Sequence, residues 1–310
     1  MRVIDAHEVR SLLLDAPSAP GRPAHFSAAS GLVRRGDWLY VVGDDENHLG
    51  VFRNQSDAPG RLVPLFEGAL PQEHAARKAA KPDLEALTML PPFGAHEHGA
   101  LLALGSGSTP ARERGVMWAL GEDGGLRGEP VVLALGPLYV ALRPQVAELN
   151  VEGACVSGGR LALLQRGNSE TGDNLVVSLA LDAVTEHLGR GAATLEASDI
   201  EDVRAYDLGL QGDVGLGFTD ADALPDGRIV FTAAAEDTSN PYDDGVVQGS
   251  SVGVLSAAGE LEWIAPIAGD GLKVEGVDAV LADGLIHVLM VCDADDPAVP
   301  SPLLSATLPA

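Results

Sequence analysis

The stretch EGVDAVLADGLIHVLMV, residues 275–291, consists of two short apolar strands joined by the tight turn ADG. Valine, leucine and isoleucine fill both strands, as in a buried sheet, and an aspartate–glycine pair suits a hairpin turn. A similar stretch, EGACVSGGRLALLQ, occupies residues 152–165. Both begin with Glu-Gly, although strand interiors disfavour both residue types. The recurrence indicates one supersecondary unit that the chain uses more than once.

Five segments of the chain follow this pattern of a polar lead residue, an apolar strand, a tight turn, a second strand, a polar loop and a third strand. They cover residues 30–52, 85–120, 152–181, 220–255 and 275–308. Their lead residues are Ser30, Glu85, Glu152, Asp220 and Glu275, separated by 55, 67, 68 and 55 residues. The 35 residues after Glu275 and the first 30 residues of the chain together make a further interval of similar length. This spacing predicts a ring closed by an amino-terminal strand that joins the last unit, because closure removes exposed sheet edges.

The repeat predicts an all-β protein that forms one domain over residues 1–310, a β-propeller of five blades. A six-bladed ring stays open as an alternative if residues 138–146, LYVALRPQV, belong to a further blade. Residues 71–81, PQEHAARKAAK, look helical but lack an apolar stripe, so we expect a solvated excursion between blades there.

The composition argues against several classes of protein. A formal net charge of −25 repels nucleic-acid phosphates, so no nucleic-acid partner is expected. The chain has no apolar run of membrane-spanning length, and its first residues carry acids where a signal peptide needs a basic start. We therefore expect a cytoplasmic protein without a membrane partner. Cys155 and Cys292 lie in apolar runs and should be buried, reduced thiols.

The five lead residues predict a metal site. The first strand of a propeller blade lines the central channel, so its opening residue lies near one mouth of that channel. Carboxylates gathered there repel one another unless protons or a cation relieve the repulsion, and oxygen ligands from several directions suit Ca²⁺. The alternative is that each acid only caps neighbouring backbone amides at the start of a strand. The predicted ligands of Ca²⁺ are Ser30, Glu85, Glu152, Asp220 and Glu275, with Asp222 kept as a second choice in the fourth segment.

The loops between the second and third strands of each unit should surround the same mouth, because strand direction alternates in a meander. Arginines there could bind phosphate or carboxylate oxygens, and acids and amides could activate or orient water. The predicted catalytic residues are Asp44, Asp45, Arg166 and Glu236. The predicted ligand-binding residues are Asn47, Arg112, Arg114, Asn168, Asp237 and Asp293. The run HEH at residues 96–98 falls in a turn of the opposite face and is not expected to bind a metal.

The series of lead residues resembles that of calcium-activated apyrases, five-bladed propellers that hydrolyse nucleoside di- and triphosphates. The similar pieces are the Ser-x-Leu opening at Ser30, the Glu at position 85, the Ala-Cys that follows Glu152, the Gly-Phe pair at residues 217–218 and the Lys-x-Glu-Gly step at residues 273–276. The resemblance implies a Ca²⁺ ion at the five lead residues, with Asp220 standing where the apyrases have serine. The chain is also similar to uncharacterised bacterial propellers related to phytase-like esterases, which implies ester or phosphate chemistry.

Two functions follow as hypotheses. The first is a Ca²⁺-dependent hydrolase of a small phosphorylated or ester substrate, with a small anionic molecule as its ligand. The alternative is a non-catalytic propeller in which Ca²⁺ joins the blades and the loops bind a ligand or a protein partner. A lactonase-like six-bladed propeller ranks third. The mouth loops contain few aromatic residues, of which Tyr242 is the clearest, and this weakens a strict apyrase assignment.

Overall fold

The protein is a ring of five small antiparallel sheets, each one blade of a β-propeller, in a computed structural model that describes residues 2–167, 173–237, 246–269 and 271–310. The strand β1 (His7–Ser11) precedes the first blade in the chain. Blade 1 consists of β2 (Ala29–Arg35), β3 (Trp38–Gly43), β4 (His48–Arg53) and β5 (Arg61–Pro64). Blade 2 consists of β6 (Leu84–Leu90), β7 (Ala100–Gly105), β8 (Arg114–Ala119) and β9 (Val131–Ala134). Blade 3 consists of β10 (Val151–Ser157), β11 (Arg160–Gln165), β12 (Asn174–Ala180) and β13 (Ile200–Tyr206). Blade 4 consists of β14 (Leu210–Gln211), β15 (Val214–Ala223), β16 (Ile229–Asp237), β17 (Val246–Leu255) and β18 (Leu261–Pro266). Blade 5 consists of β19 (Lys273–Ala282), β20 (Leu285–Asp293) and β21 (Pro302–Pro309), with β1 as its fourth strand.

The ring closes as the repeat predicts. β1 pairs antiparallel with β21, with His7 opposite Ser305, and so completes blade 5 from the other end of the chain. Just after β1, Leu12 accepts a hydrogen bond from the backbone of Phe26 and donates one to the backbone of Ser301. The prediction of an all-β, five-bladed propeller closed by an amino-terminal strand is therefore confirmed.

Apolar side chains fill the space between each pair of neighbouring blades. Strand residues alternate between the two faces of a sheet, so each blade contributes one set to the preceding interface and one to the next. Five clusters of buried residues correspond to the five interfaces, and the cluster between blades 5 and 1 contains Leu12, Phe26 and Leu303. Cys155 and Cys292 are both buried, free thiols in such clusters, as predicted.

In the described part of the chain, three short α-helices lie between strands: α1 (His74–Ala80), α2 (Gly136–Leu142) and α3 (Leu181–Gly189). The six-bladed alternative is wrong, because residues 138–146 form part of α2 and a following turn, and Leu138, Tyr139 and Leu142 are buried in the interface of blades 2 and 3. The helix supplies apolar contacts to this interface and adds no sheet whose edge strands would need hydrogen-bond partners. Among the described residues, no helix is long and apolar enough to cross a membrane.

A β-bulge interrupts the innermost strand of each of the five blades. The register of each pair of first and second strands shifts by one residue, and the residues at these shifts are Ser30, Glu85, Glu152, Thr219 and Glu275. In blade 4 the counterpart of the glutamates is therefore Thr219. Asp220 stands one position later, which corrects the sequence-based alignment. Bulges re-aim side chains, and here they do so at one end of the channel, which we name the mouth.

Candidate metal centre

Three of the bulged residues bring their carboxylates together at the mouth. Oxygens of Glu85, Glu152 and Glu275 all lie within 4.8 Å of one another, and we name this group the glutamate cluster. It collects one side chain each from blades 2, 3 and 5, so packing of the ring itself creates the site. Glu152 and Glu275 are 4% and 3% exposed, so water screens their charges poorly.

Glu275 has the least satisfied side chain of the glutamate cluster. Both of its carboxylate oxygens are buried and neither accepts a hydrogen bond. Its oxygen Oε1 lies 3.4 Å from Lys273 Nζ and 3.9 Å from an Arg166 nitrogen, which is attraction at longer range. By contrast, Asn150 donates its side-chain amide to Glu152 Oε1 at 2.5 Å. A buried carboxylate without hydrogen bonds favours either a proton or a closer cation.

Burial and mutual repulsion raise the pKa of all three glutamates. The pKa of Glu85 lies well above its ordinary value, first because of burial and then because of Glu152. Burial raises the pKa of Glu152 to about 8, with Glu275 adding to the rise and Arg166 opposing it. Burial also raises the pKa of Glu275, against the pull of Lys273 and Arg166. Complete ionisation of the cluster near neutral pH therefore requires more positive charge than Arg166 and Lys273 bring to it.

Arg166 and Lys273 reach into the mouth from the end of β11 and the start of β19. Arg166 is 2.6 Å from Glu236 and 3.5 Å from Glu152. Lys273 is within 3.9 Å of four carboxylates, those of Glu236, Glu275, Asp293 and Asp295. These two cations thus share five carboxylates between them and leave the mouth negative.

A second acidic group adjoins the glutamate cluster through Glu85. Oxygens of Asp44, Asp83 and Glu85 also lie within 4.8 Å of one another. Here the aspartates already have cationic partners: Lys81 contacts Asp44 and is 3.0 Å from Asp83, and Arg112 is 2.8 Å from Asp83. These cations approach Asp83 at 2.8 and 3.0 Å, whereas Glu275 has cations only at 3.4 and 3.9 Å, so the side of the mouth around Glu275 is the better place for an added cation.

A cavity of about 110 Å³ opens next to these groups, between blades 1 and 5, and Asp44, Asp45, Lys81 and Asp293 contribute to its walls. Burial alone would raise the pKa of Asp44, but the Lys81 ammonium reverses this and holds that pKa below its ordinary value. Burial raises the pKa of Asp293 well above the ordinary value and also raises that of Asp45, where Asp44 adds to the effect. Carboxyl groups with opposite pKa shifts thus share one cavity, which is the arrangement that separates a base from an acid.

Two of the predicted metal ligands accept hydrogen bonds from backbone N–H groups of the neighbouring blade. Asp220 accepts a hydrogen bond from the N–H of Val277 at 2.9 Å, and Asp222 accepts one from the N–H of Ala279 at 2.8 Å. Among the described residues, neither aspartate joins the carboxylate groups at the mouth. Ser30 is buried at its bulge in blade 1.

Of the remaining predicted residues, Glu236 and Arg112 bind charged groups of the mouth, whereas Asn47, Arg114 and Asp237 have other environments. Asn47 donates to the carbonyl of Gly68, Glu236 binds Arg166, Arg112 binds Asp83 and Ser108, Arg114 lies 4.4 Å from the ring centre of Phe66, and Asp237 is exposed at the end of β16. Asn168 and Tyr242 lie outside the described residues. The structure thus gathers Asp44, Asp45, Arg166, Glu236 and Asp293 around the glutamate cluster.

Sequence reasoning missed several charged or polar residues of the mouth. Asp83, Asn150 and Lys273 each stand two positions before a lead glutamate. A polar residue at this spacing before the lead glutamate is the signal in the sequence that indicates them. Lys81 and Asp295 carry no such spacing.

The propeller aligns with solved structures of distant sequence. With the glutaminyl cyclase of Myxococcus xanthus, the alignment covers 100% of both chains at 12% identity and a TM-score of 0.50. With an engineered GH43 glycoside hydrolase, it covers 98% of this chain and 52% of that one, at 13% identity and a TM-score of 0.51. At such identities the likeness shows the fold alone.

No curated protein matches the sequence. A family profile does match, and it covers residues 25–308, which is nearly the whole ring. The chain therefore belongs to DUF6929, a family of unknown function.

Proposed function

We propose that the protein is a Ca²⁺-binding propeller that hydrolyses a small phosphorylated or ester substrate at the mouth of its channel. The observation that carries the proposal is the buried carboxylate of Glu275, which has no hydrogen-bond partner and faces Glu85 and Glu152. A buried carboxylate without hydrogen bonds is costly to ionise, and a divalent cation among the three glutamates would lower that cost beyond what Lys273 and Arg166 provide at 3.4 and 3.9 Å. The available donors are oxygens, which Ca²⁺ prefers, and the chain offers no thiolate or imidazole in either described carboxylate group.

The balance of charge supports the same conclusion. Arg166 and Lys273 contact five carboxylates, and Glu85 adds a sixth to the group. A divalent cation offsets much of the negative charge that remains. It also lets a substrate anion approach a chain whose formal net charge is −25.

The cavity beside the cluster supplies the groups for hydrolysis. When bound, Ca²⁺ would polarise an oxygen of the scissile group. Asp44, kept ionised by Lys81, would accept a proton from the attacking water. Asp293, whose pKa is raised by burial, would hold a proton and donate it to the leaving oxygen. Lys81 would also favour an anionic substrate in the cavity.

Cation binding is the first test. Metal-free protein is titrated with Ca²⁺ by calorimetry, and its melting temperature is measured with and without the ion. We expect one strong site per chain and a rise in Tm, since ligand at 100 times Kd stabilises by about 2.7 kcal/mol. Glu275→Gln should lose the Ca²⁺-dependent rise while its metal-free form stays folded, and Asp296→Asn, an exposed acid of the nearby loop, should keep the rise. Absence of any Ca²⁺ effect on the unmodified protein would overturn the metal site.

Activity is the second test. A panel of phosphate monoesters, nucleotides and carboxylic esters is incubated with the Ca²⁺-loaded protein, and Asp44→Asn serves as the catalytic variant. We expect hydrolysis of at least one class, lost by at least a hundredfold in Asp44→Asn without loss of Ca²⁺ binding, as for removal of a general base. If Ca²⁺ binds and the whole panel stays intact, the hydrolase proposal fails and the metal proposal stands.

One observation favours a second candidate, a non-catalytic propeller in which Ca²⁺ joins blades 2, 3 and 5. The basic side chains at the mouth, Lys81, Arg112, Arg166 and Lys273, all contact carboxylates of the protein itself. Groups engaged in this way bind a substrate anion less readily. Under this candidate Ca²⁺ raises Tm and the substrate panel gives no turnover.

A further inference from the structure

A second cavity lies at the opposite end of the blades from the mouth, between blade 5 and Arg34 of blade 1. Its volume is about 440 Å³, four times that of the cavity at the mouth. Its walls include β20 and β21, the start of β1 and the residues that precede it, and we name it the blade 5 cleft. No residue of the glutamate cluster lines it.

The lining of the blade 5 cleft reverses the charge balance of the chain. Of the twelve described residues that line it, four are basic, namely Arg2, Arg34, His7 and His287, and one is acidic, Asp5. In the whole sequence, 45 acids face 20 lysines and arginines and 8 histidines. The cavity at the mouth shows the opposite, with five aspartates and two lysines in its walls. In a chain of this composition, a cleft lined by arginine and histidine favours a negatively charged ligand.

Strand pairing places the donors of the cleft in two adjacent rows. His7 of β1 lies opposite Ser305 of β21, and Ser305 lies opposite Leu289 of β20. Two residues further along the same strands, His287 of β20 lies opposite Thr307 of β21. Residues two apart on a strand share a face, so the hydroxyls of Ser305 and Thr307 lie on one side of β21. The Thr307 hydroxyl is 3.4 Å from Nδ1 of His287. Imidazole and hydroxyl donors thus stand side by side on a rigid sheet.

Arg34 is fixed at the inner end of the cleft. Its backbone N–H donates to Asp278 at 2.8 Å, and its guanidinium is 2.6 Å from the other oxygen of the same carboxylate. A guanidinium carries five N–H donors, so Asp278 orients the group without using all of them. A preoriented arginine loses little side-chain entropy when an oxyanion binds.

We propose that the blade 5 cleft binds a small molecule through its phosphate or carboxylate group. Arg2 supplies positive charge, Arg34 supplies the guanidinium N–H groups that do not face Asp278, His7 and His287 supply ring N–H donors, and Ser305 and Thr307 complete the contacts to oxyanion oxygens. The volume admits a ligand larger than the oxyanion itself, such as a sugar phosphate or a tricarboxylate. The site is separate from the proposed metal centre and does not depend on it.

Titration with inorganic phosphate and, separately, with citrate tests the proposal. Calorimetry measures affinity in the presence of a chelator, and NMR follows the ring signals of the histidines. We expect one saturable site, with shifts for His7 and His287 and none for His98, which lies in the turn between β6 and β7. The probe that binds more tightly tells a phosphate ligand from a carboxylate ligand.

Variants locate the site. The double change His7→Gln with His287→Gln, at two exposed positions, should weaken binding at least tenfold, and the matched change His98→Gln should leave it as it is. Glu275→Gln should bind both probes like the unmodified protein, since its carboxylate lies at the other end of the channel. Absence of saturable binding, or equal affinity in the double variant, overturns the proposal.

Discussion

At Gly153 the innermost strand of blade 3 touches that of blade 4. A Cβ atom at this position would lie 2.7 Å from the Cα of Asp220, and one at Gly276 would lie 2.8 Å from the carbonyl oxygen of Ser30. Both glycines follow a lead glutamate directly. The absence of a side chain after the bulge therefore lets the strands around the axis approach closely enough for the glutamates to meet.

Gly153→Ala tests this account. We expect it to destabilise the fold by about 1–3 kcal/mol, because backbone atoms, and no flexible side chain, obstruct the new methyl group. Gly215→Ala is the control, since nothing lies within 4 Å of its Cβ and its φ is not positive. That change should be neutral or stabilise by about 0.4–1 kcal/mol through the unfolded chain. Urea unfolding measures both, and equal effects of the two changes would contradict axial crowding.

At the scale of single residues, four of the five lead positions are predictable because a small residue follows each of Ser30, Glu85, Glu152 and Glu275. Thr219 is not, since the neighbouring Asp220 is also followed by a small residue, Ala221, and presents the stronger charge signal. Arg166 was expected in a mouth loop, but its contact with three carboxylates of other strands depends on the closed ring.

Among the elements, the innermost strands of blades 4, 5 and 1 are joined by carboxylates that accept backbone N–H groups. Asp220 and Asp222 of β15 bind the backbone of β19, and Asp278 of β19 binds that of Arg34 in β2. Successive strands around the axis belong to different sheets and lack a shared ladder of hydrogen bonds. These side chains take the place of such a ladder between blades.

The pH dependence of stability reports on one of these contacts. Burial, and then Asp278, raises the pKa of Asp222 to about 7. Between its ordinary value near 4 and about 7, the folded protein keeps a proton that the unfolded chain releases, so stability falls as the pH rises through that window. One such group contributes roughly 1.4 kcal/mol per pH unit.

Asp222→Asn keeps an acceptor for Ala279 and removes the charge. We expect the variant to be more stable than the unmodified protein at pH 8 and to match it at pH 4, in urea unfolding at both values. Asp213→Asn, an exposed position next to the same strand, should leave the pH dependence as it is. Lower stability of Asp222→Asn at pH 8 would count against the raised pKa.

The helix α1 shows the limit of prediction for elements. Its sequence lacks an apolar stripe, which favours a solvated excursion, yet Arg77 is buried and 3.2 Å from Asp45, and Lys81 just after the helix contacts Asp44. These ion pairs join the helix to the loop between β3 and β4 of blade 1, and such contacts produce no periodic pattern in the sequence from which they could be predicted. Strands and turns, by contrast, were predictable because alternation and glycine-containing hairpins are local signals.

For the molecule as a whole, closure of the ring depends on a few residues after β1. Leu12 is fully buried between blades 5 and 1, whereas its neighbour Leu13 is 47% exposed. Leu12→Ala should cost about 2–5 kcal/mol through loss of buried contacts and the cavity that remains. Leu13→Ala should change stability by less than about 0.5 kcal/mol. Thermal and urea unfolding measure both, and a small effect of Leu12→Ala would mean that the blade 5–blade 1 contact contributes little.

The pairing of β1 with β21 also orders events during synthesis of the protein. At ~5–20 residues per second, β21 leaves the ribosome roughly 15–60 seconds after β1. Throughout that interval β1 has no partner, and the growing row of blades exposes an apolar sheet face at each end. Blades 1 to 4 can each fold as they emerge, because their strands are consecutive in the chain. β1 is thus made before the other strands of the ring and is the last of them to be paired, and the ring closes only when translation of β21 is complete.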